Sequence, residues 1–91
     1  MKYLESDLGQ LDAGRTVQFI LRGNAANVRL VDSANLVRFK RGERFHYVGG
    51  HATASPVVLR TPSVARWHAV VDLGGRPGTV DASIRVIGGQ R

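Results

Sequence analysis

The stretch that decides the fold runs from Val64 to Ile87 and reads VARWHAVVDL, then GGRPG, then TVDASIRVI. Apolar residues recur at every second position in both outer segments, a period typical of strands with one buried face. Trp67 lies on that face and is its largest apolar side chain. We interpret the stretch as a β-hairpin around the Gly/Pro loop, with Leu73 opposite Val80.

This register has two consequences for the outer face of the predicted hairpin. It makes His68 a cross-strand neighbour of Arg85, and it sets Asp72 opposite Asp81, where like charges destabilise a sheet. A neighbouring arginine, a shifted register, or an Asp72 carboxylate turned toward the amides of the next two glycines would relieve the repulsion. We favour the third, since aspartate commonly bonds amides two residues further on.

The rest of the chain predicts more short strands, separated by turns rich in Gly, Asn and Pro. They are expected at residues 2–6, 15–22, 27–32, 44–48 and 57–60. The second and third of these read as another hairpin, and the prolines around the last assign it to a sheet edge. Gly49 and Gly50 are interpreted as the end of the fourth strand.

One short helical turn is expected after the third strand. Asp32 or Ser33 could cap it, and Leu36 and Phe39 are spaced to form its inner side. Leu8 and Leu11 are expected to anchor the turn-rich segment after the first strand.

Together these spacings predict an all-β fold: a single small antiparallel β-sandwich or flattened barrel of six to seven short strands, with at most one short helical turn. The chain of 91 residues is long enough for one domain with a thin core, and we assign residues 1–91 to it.

The charge of the chain favours an anionic partner. The formal net charge is +6, and eleven of the thirteen cationic residues are arginines, which suit bidentate contacts with phosphate or carboxylate. The alternative is that the charge serves solubility and reflects a GC-rich codon bias.

Composition also excludes several classes of function. The sequence contains no cysteine and no apolar run of membrane-spanning length, and its first ten residues lack the apolar segment of a signal peptide. We therefore expect a cytoplasmic domain without a membrane partner. The three histidines lack the spacing of metal ligands within one element, and no cofactor is expected. Because no nucleophile or phosphate-binding glycine motif is present, we expect no enzyme.

The strongest candidate for a binding site is the basic run RFKRGERFH at residues 38–46. Phe39, Phe45 and Tyr47 are interleaved with its cations, and such rings could stack a base. The alternative is that both phenylalanines are core residues and the cations only solvate the loop. The candidate binding residues are Arg38, Lys40, Arg41, Arg44, His46 and Tyr47, with Asn27 and Arg29 as auxiliaries from the neighbouring strand.

Several blocks of the sequence resemble the bacterial family DUF1883. They are GNAANVRL at 23–30, YVGG at 47–50, SP at 55–56 and WHAVVDLGG at 67–75, and the resemblance extends from Tyr3 to about Ile87. It implies a compact β-sandwich-like domain without assigned catalytic residues, standing alone or preceding a TIR domain. Such an arrangement suits a sensing or recognition module.

We therefore expect a non-enzymatic binding or sensing module for an anionic small molecule or an acidic protein surface. One alternative is binding of single-stranded nucleic acid, with an affinity that falls steeply with salt. Another is a structural module that forms homo-oligomers by pairing an exposed strand edge with a second copy.

Overall fold

The computed structural model describes residues 2–87, which form seven strands and one helix. Their bounds are β1 Tyr3–Leu11, β2 Thr16–Gly23, β3 Ala26–Asp32, α1 Ser33–Lys40, β4 Val48–Ala52, β5 Val57–Arg60, β6 Ala65–Asp72 and β7 Val80–Ile87. A four-stranded sheet has the order β1-β6-β3-β4, and a three-stranded sheet has the order β5-β2-β7, with antiparallel pairing throughout. The predicted all-β sandwich is confirmed, as is the edge position of β5.

Both predicted hairpins are wrong. Strand β6 lies between β1 and β3 in the four-stranded sheet, whereas β7 pairs with β2 in the other sheet. Residues 73–79 therefore carry the chain across the sandwich, and the turn between β2 and β3 does the same. A strand shows the same alternation whether its successor lies beside it or across the core, so periodicity did not distinguish the two arrangements.

Trp67, which was predicted to face the core, does face it, together with apolar side chains from both sheets. Phe19 from the three-stranded sheet and Leu30 from the four-stranded sheet are fully buried. Trp67 is 4% exposed, and its indole Nε1 donates to the carbonyl of Ser63 at 2.9 Å. The inward side chains of β7, including Ile84, pack against the same cluster. Strands β6 and β7, the two segments of the stretch from Val64 to Ile87, thus supply opposite walls of the core.

Helix α1 covers part of the outer face of the four-stranded sheet. Its N-cap is Asp32, whose Oδ1 accepts from the backbone N–H of Asn35 at 2.9 Å. Leu36 and Phe39 are buried against Val31 and Val70, forming a second, smaller cluster. The predicted cap and inner residues are confirmed, and the helix is about one turn longer than expected. No helix within residues 2–87 has the length and apolarity needed to cross a membrane.

Strand β1 continues through a segment that the sequence predicted as turns. A bulge between Asp7 and Gly9 shifts its register against β6, and Gly9 has a φ of 77° there. Leu11 is buried and Leu8 packs on the core, as predicted for the two anchors. A bulge accommodates the extra residue, so turn-forming residues occur here inside a strand.

Asp7, beside this bulge, forms an ion pair with Arg66 that has a measurable pH signature. The Arg66 guanidinium donates to both carboxylate oxygens of Asp7, and this hydrogen bonding, with a smaller contribution from the Gly9 amide, lowers the pKa of Asp7 from its ordinary value of 3.8. Since the pKa is lower in the folded state, the associated stabilisation is present above pH 3.8 and is lost as the pH falls through the folded pKa.

We expect Arg66→Gln to raise the pKa of Asp7 toward its ordinary value, because it removes the largest cause of the shift. Carboxyl carbon chemical shifts followed through an acid titration would measure it. Arg85→Gln, on the other sheet, is the control and should leave the Asp7 titration unchanged. An Asp7 pKa that stays the same in Arg66→Gln would contradict this assignment.

Candidate functional site

The basic segment, residues 38–47, begins on the solvent face of α1. Arg38 and Arg41 are both exposed and lie three positions apart, so their side chains are neighbours on the helix surface. Val37, beside Arg38, is 46% exposed. Cations at the C-terminal end of a helix are also favoured by its dipole.

After the helix the chain is irregular until β4, so the strand predicted at 44–48 is wrong in position. Asn35 holds this irregular part against the start of the helix. Its Oδ1 accepts from the backbone N–H of His46 at 2.8 Å, and its Nδ2 donates to Asp32 at 2.9 Å. Arg44 and the side chain of His46 remain exposed.

Lys40 differs from the other cations of the basic segment because it has an internal partner. Its ammonium lies 3.1 Å from Glu5 Oε1, across the helix–sheet boundary. This hydrogen bond raises the pKa of Lys40 above its ordinary value, and the Glu5 carboxylate balances its charge. Within residues 2–87, the side chains of Arg38, Arg41, Arg44 and His46 have no ion pair or hydrogen bond.

The aromatic rings of the segment form a row that also includes Tyr3. Successive ring centroids from Tyr3 to Phe39, Phe45 and Tyr47 are 5.1, 5.3 and 5.3 Å apart. Phe39 is buried and Phe45 is half-buried, which supports the alternative that these phenylalanines are core residues. Tyr47 is the exposed ring of the three that the sequence singled out.

The two auxiliaries, Asn27 and Arg29, are held in a polar network around Asp72. Arg29 Nη1 donates to Asp72 Oδ2 at 2.6 Å, and Asn27 Nδ2 donates to Oδ1 at 3.0 Å. The Arg29 guanidinium also lies 5.0 Å from the Tyr47 ring centroid and 5.6 Å from that of Phe45. The structure thus brings Asn27, Arg29 and Tyr47 together, but as parts of an internal network.

The network also resolves the predicted repulsion between two aspartates. Asp72 Oδ1 accepts from the backbone N–H of Gly74 at 2.7 Å, which is the first of the two predicted amide bonds, and the Arg29 guanidinium neutralises the carboxylate as well. Asp81 lies in the other sheet, where its strand partner is Arg22, so the two carboxylates do not face each other.

His68 is buried rather than exposed beside Arg85, because α1 covers the face on which it lies. Its Nε2 is 2.9 Å from Ser33 Oγ and its Nδ1 is 3.7 Å from Glu5 Oε2. The described residues contain no cluster of three or more His, Asp or Glu able to hold a metal.

A groove of about 780 Å³ lies where the start of β1 meets the 73–79 loop. Its apolar lining comes from Leu4, Val71, Leu73 and Val80, and Lys2 and Arg76 contribute cations. The sequence did not predict this groove. No local pattern could have revealed it, because its residues come from segments about 70 positions apart that meet only through the sheet topology.

Comparison of the sequence with known protein families gives a match over nearly the whole chain. Residues 1–90 match the family described as Domain of unknown function (DUF1883). No curated protein and no solved structure gives a significant match to the chain.

Proposed function

The chain belongs to the DUF1883 family, and we propose that it is a non-catalytic binding or sensing module that recognises an acidic protein surface through its basic segment. The observation that carries the proposal is the set of exposed side chains of Arg38, Arg41, Arg44 and His46, which have no internal partner within residues 2–87. Guanidinium groups bind carboxylates in bidentate geometry, and their exposure leaves them free to do so. A cytoplasmic location is part of the same proposal.

The shape of this surface favours a macromolecule over a small anion. The solvent face of a helix is convex, and none of residues 38–47 lines the groove described above. Small-molecule sites are usually concave and bury most of the ligand. Exposed arginines outside a concave site are better suited to the carboxylates of an acidic protein face.

The aromatic packing favours protein over single-stranded nucleic acid. Single strands are commonly held on several exposed rings that stack successive bases. Here Phe39 is buried, and Tyr47 is packed against both Phe45 and Arg29. One partly occupied ring offers a poor stacking platform, so the cations carry the proposed recognition.

The test is the binding of fluorescein-labelled poly-L-glutamate, measured by fluorescence anisotropy at low and physiological salt. The variant combines Arg38→Gln, Arg41→Gln and Arg44→Gln. We expect its affinity to be about tenfold lower, since each exposed charge contact contributes a few tenths to one kcal/mol.

A matched control removes three other exposed arginines, Arg22, Arg60 and Arg85, from the outer face of the three-stranded sheet. The two variants have the same net charge. Because the control leaves the basic segment intact, it should bind poly-L-glutamate nearly as well as the original protein. Equal loss in both variants would show that only net charge matters and would overturn the proposal. A short oligothymidylate that binds tighter than poly-L-glutamate would assign the basic segment to nucleic acid instead.

A further inference from the structure

The groove beside β1 contains a leucine on the core side of a sheet that is nevertheless open to solvent. Leu4 is the strand partner of Val71, and directly paired residues point to the same face. Val71 is completely buried in the main core, whereas Leu4 is 40% exposed. The sandwich therefore leaves part of its apolar interior uncovered at this end.

The topology explains the opening. Strand β1 is an edge of the four-stranded sheet and β7 is an edge of the three-stranded sheet, and no further strand formed by residues 2–87 closes the gap between them. Leu73 begins the 73–79 loop and Val80 directly follows it. Both are half-buried and extend the apolar lining. The volume of about 780 Å³ lies in the range of sites for small organic ligands.

The charges around the groove are positive. Lys2 and Arg76 line it and are exposed. Among the described residues that line the groove, the acidic one is Asp72, whose side chain is fully buried and accepts bonds from Arg29, Asn27 and the Gly74 amide. Since that carboxylate is already neutralised, a ligand entering the groove meets an apolar floor and two cations.

We propose that this groove is a second binding site, for a small organic anion with an apolar body. The acyl or aromatic body would cover Leu4, Leu73 and Val80, and a carboxylate or similar head group would meet Lys2 and Arg76. The site is independent of the basic segment, because the two share no residue.

The experiment compares n-octanoate with 1-octanol, which has the same chain length without the charge. Amide chemical shifts of the full chain are followed by two-dimensional NMR during titration with each probe. Octanoate should shift residues of β1, the 73–79 loop and the start of β7, in a saturable way. It should bind several-fold tighter than octanol, because only octanoate gains the contacts with the cations.

The double variant Lys2→Gln with Arg76→Gln should bind octanoate about fivefold more weakly and octanol unchanged, as expected for the loss of exposed charge contacts. Arg22→Gln with Arg85→Gln is the control of equal net charge and should bind both as the original protein does. The basic-segment variant should also bind octanoate normally, so this proposal and the previous one fail separately. Shifts confined to other surfaces, equal affinity for the two probes, or equal weakening in both double variants would overturn the proposal.

Discussion

Replacing Asp72 with alanine is expected to lower the free energy of unfolding by about 3 to 5 kcal/mol, the usual cost of removing one partner of a buried ion pair. The Arg29 guanidinium would keep its charge where only 17% of its side chain is exposed. Asn27 and the Gly74 amide would lose their acceptor as well. Urea denaturation followed by circular dichroism would measure the change, which is a large part of the stability of a small domain.

Asp81→Ala is the matched control, because it removes an exposed carboxylate from a strand of the opposite sheet. Its cost should stay within about 0.5 kcal/mol. Adding Arg29→Leu to Asp72→Ala should recover about 1 kcal/mol or more, since the unpaired charge is then gone. A cost no larger for Asp72 than for Asp81, or no recovery in the double variant, would contradict the role of the network.

Gly49→Ala should destabilise the domain by a similar amount, about 3 to 5 kcal/mol, from overpacking combined with backbone strain. A Cβ at this position would lie 2.1 Å from the carbonyl oxygen of Val28 and 3.1 Å from Leu59 Cδ1. Val28 is in β3, the strand paired with β4, so the clash falls on the backbone of the sheet. The φ of 122° adds strain for any residue with a side chain. The midpoint of urea denaturation would show the effect.

Comparison with Gly50→Ala separates the steric part of the Gly49→Ala effect from the part that comes from backbone strain. Gly50 is the next residue of β4 and also has a positive φ, of 158°, but a Cβ there would meet nothing within 4 Å. We expect its cost to be about 1 to 2 kcal/mol, from the backbone alone. Similar losses in the two variants would mean that close approach of β4 to β3 is not what requires glycine at 49.

These two glycines also show where reading the sequence failed. A Gly-Gly pair indicates a turn because glycine tolerates positive φ, and on that basis the sequence predicts that a strand ends at residues 49 and 50. The structure has them inside β4, where the missing side chain lets the strand approach Val28. Glycine suits both a turn with positive φ and the close approach of two strands. Only the position of β3 shows that the close approach is what applies at residue 49.

The candidate site was predictable in part. The run of cations at 38–46 is a local feature, and Arg38, Arg41 and Arg44 are exposed. Whether a cation is free depends on partners distant in the chain: Glu5 pairs with Lys40 from 35 positions away, and Asp72 pairs with Arg29 from 43 positions away. Those pairings follow from the order β1-β6-β3 in one sheet, which no local pattern in the sequence predicts.

By itself, the sequence determined which faces of β6 and β7 line the core of the sandwich, where the helix is capped and that the fold is all-β. Those properties are local, because successive side chains of a strand alternate between its two faces whatever lies next to it. The tertiary structure decided which strands pair, that residues 73–79 cross between sheets, and that this crossing leaves Leu4 open beside Lys2 and Arg76. The pairing of strands and the crossing between sheets depend on contacts between residues far apart in the chain. Such contacts produce no periodic pattern in the sequence from which they could be predicted.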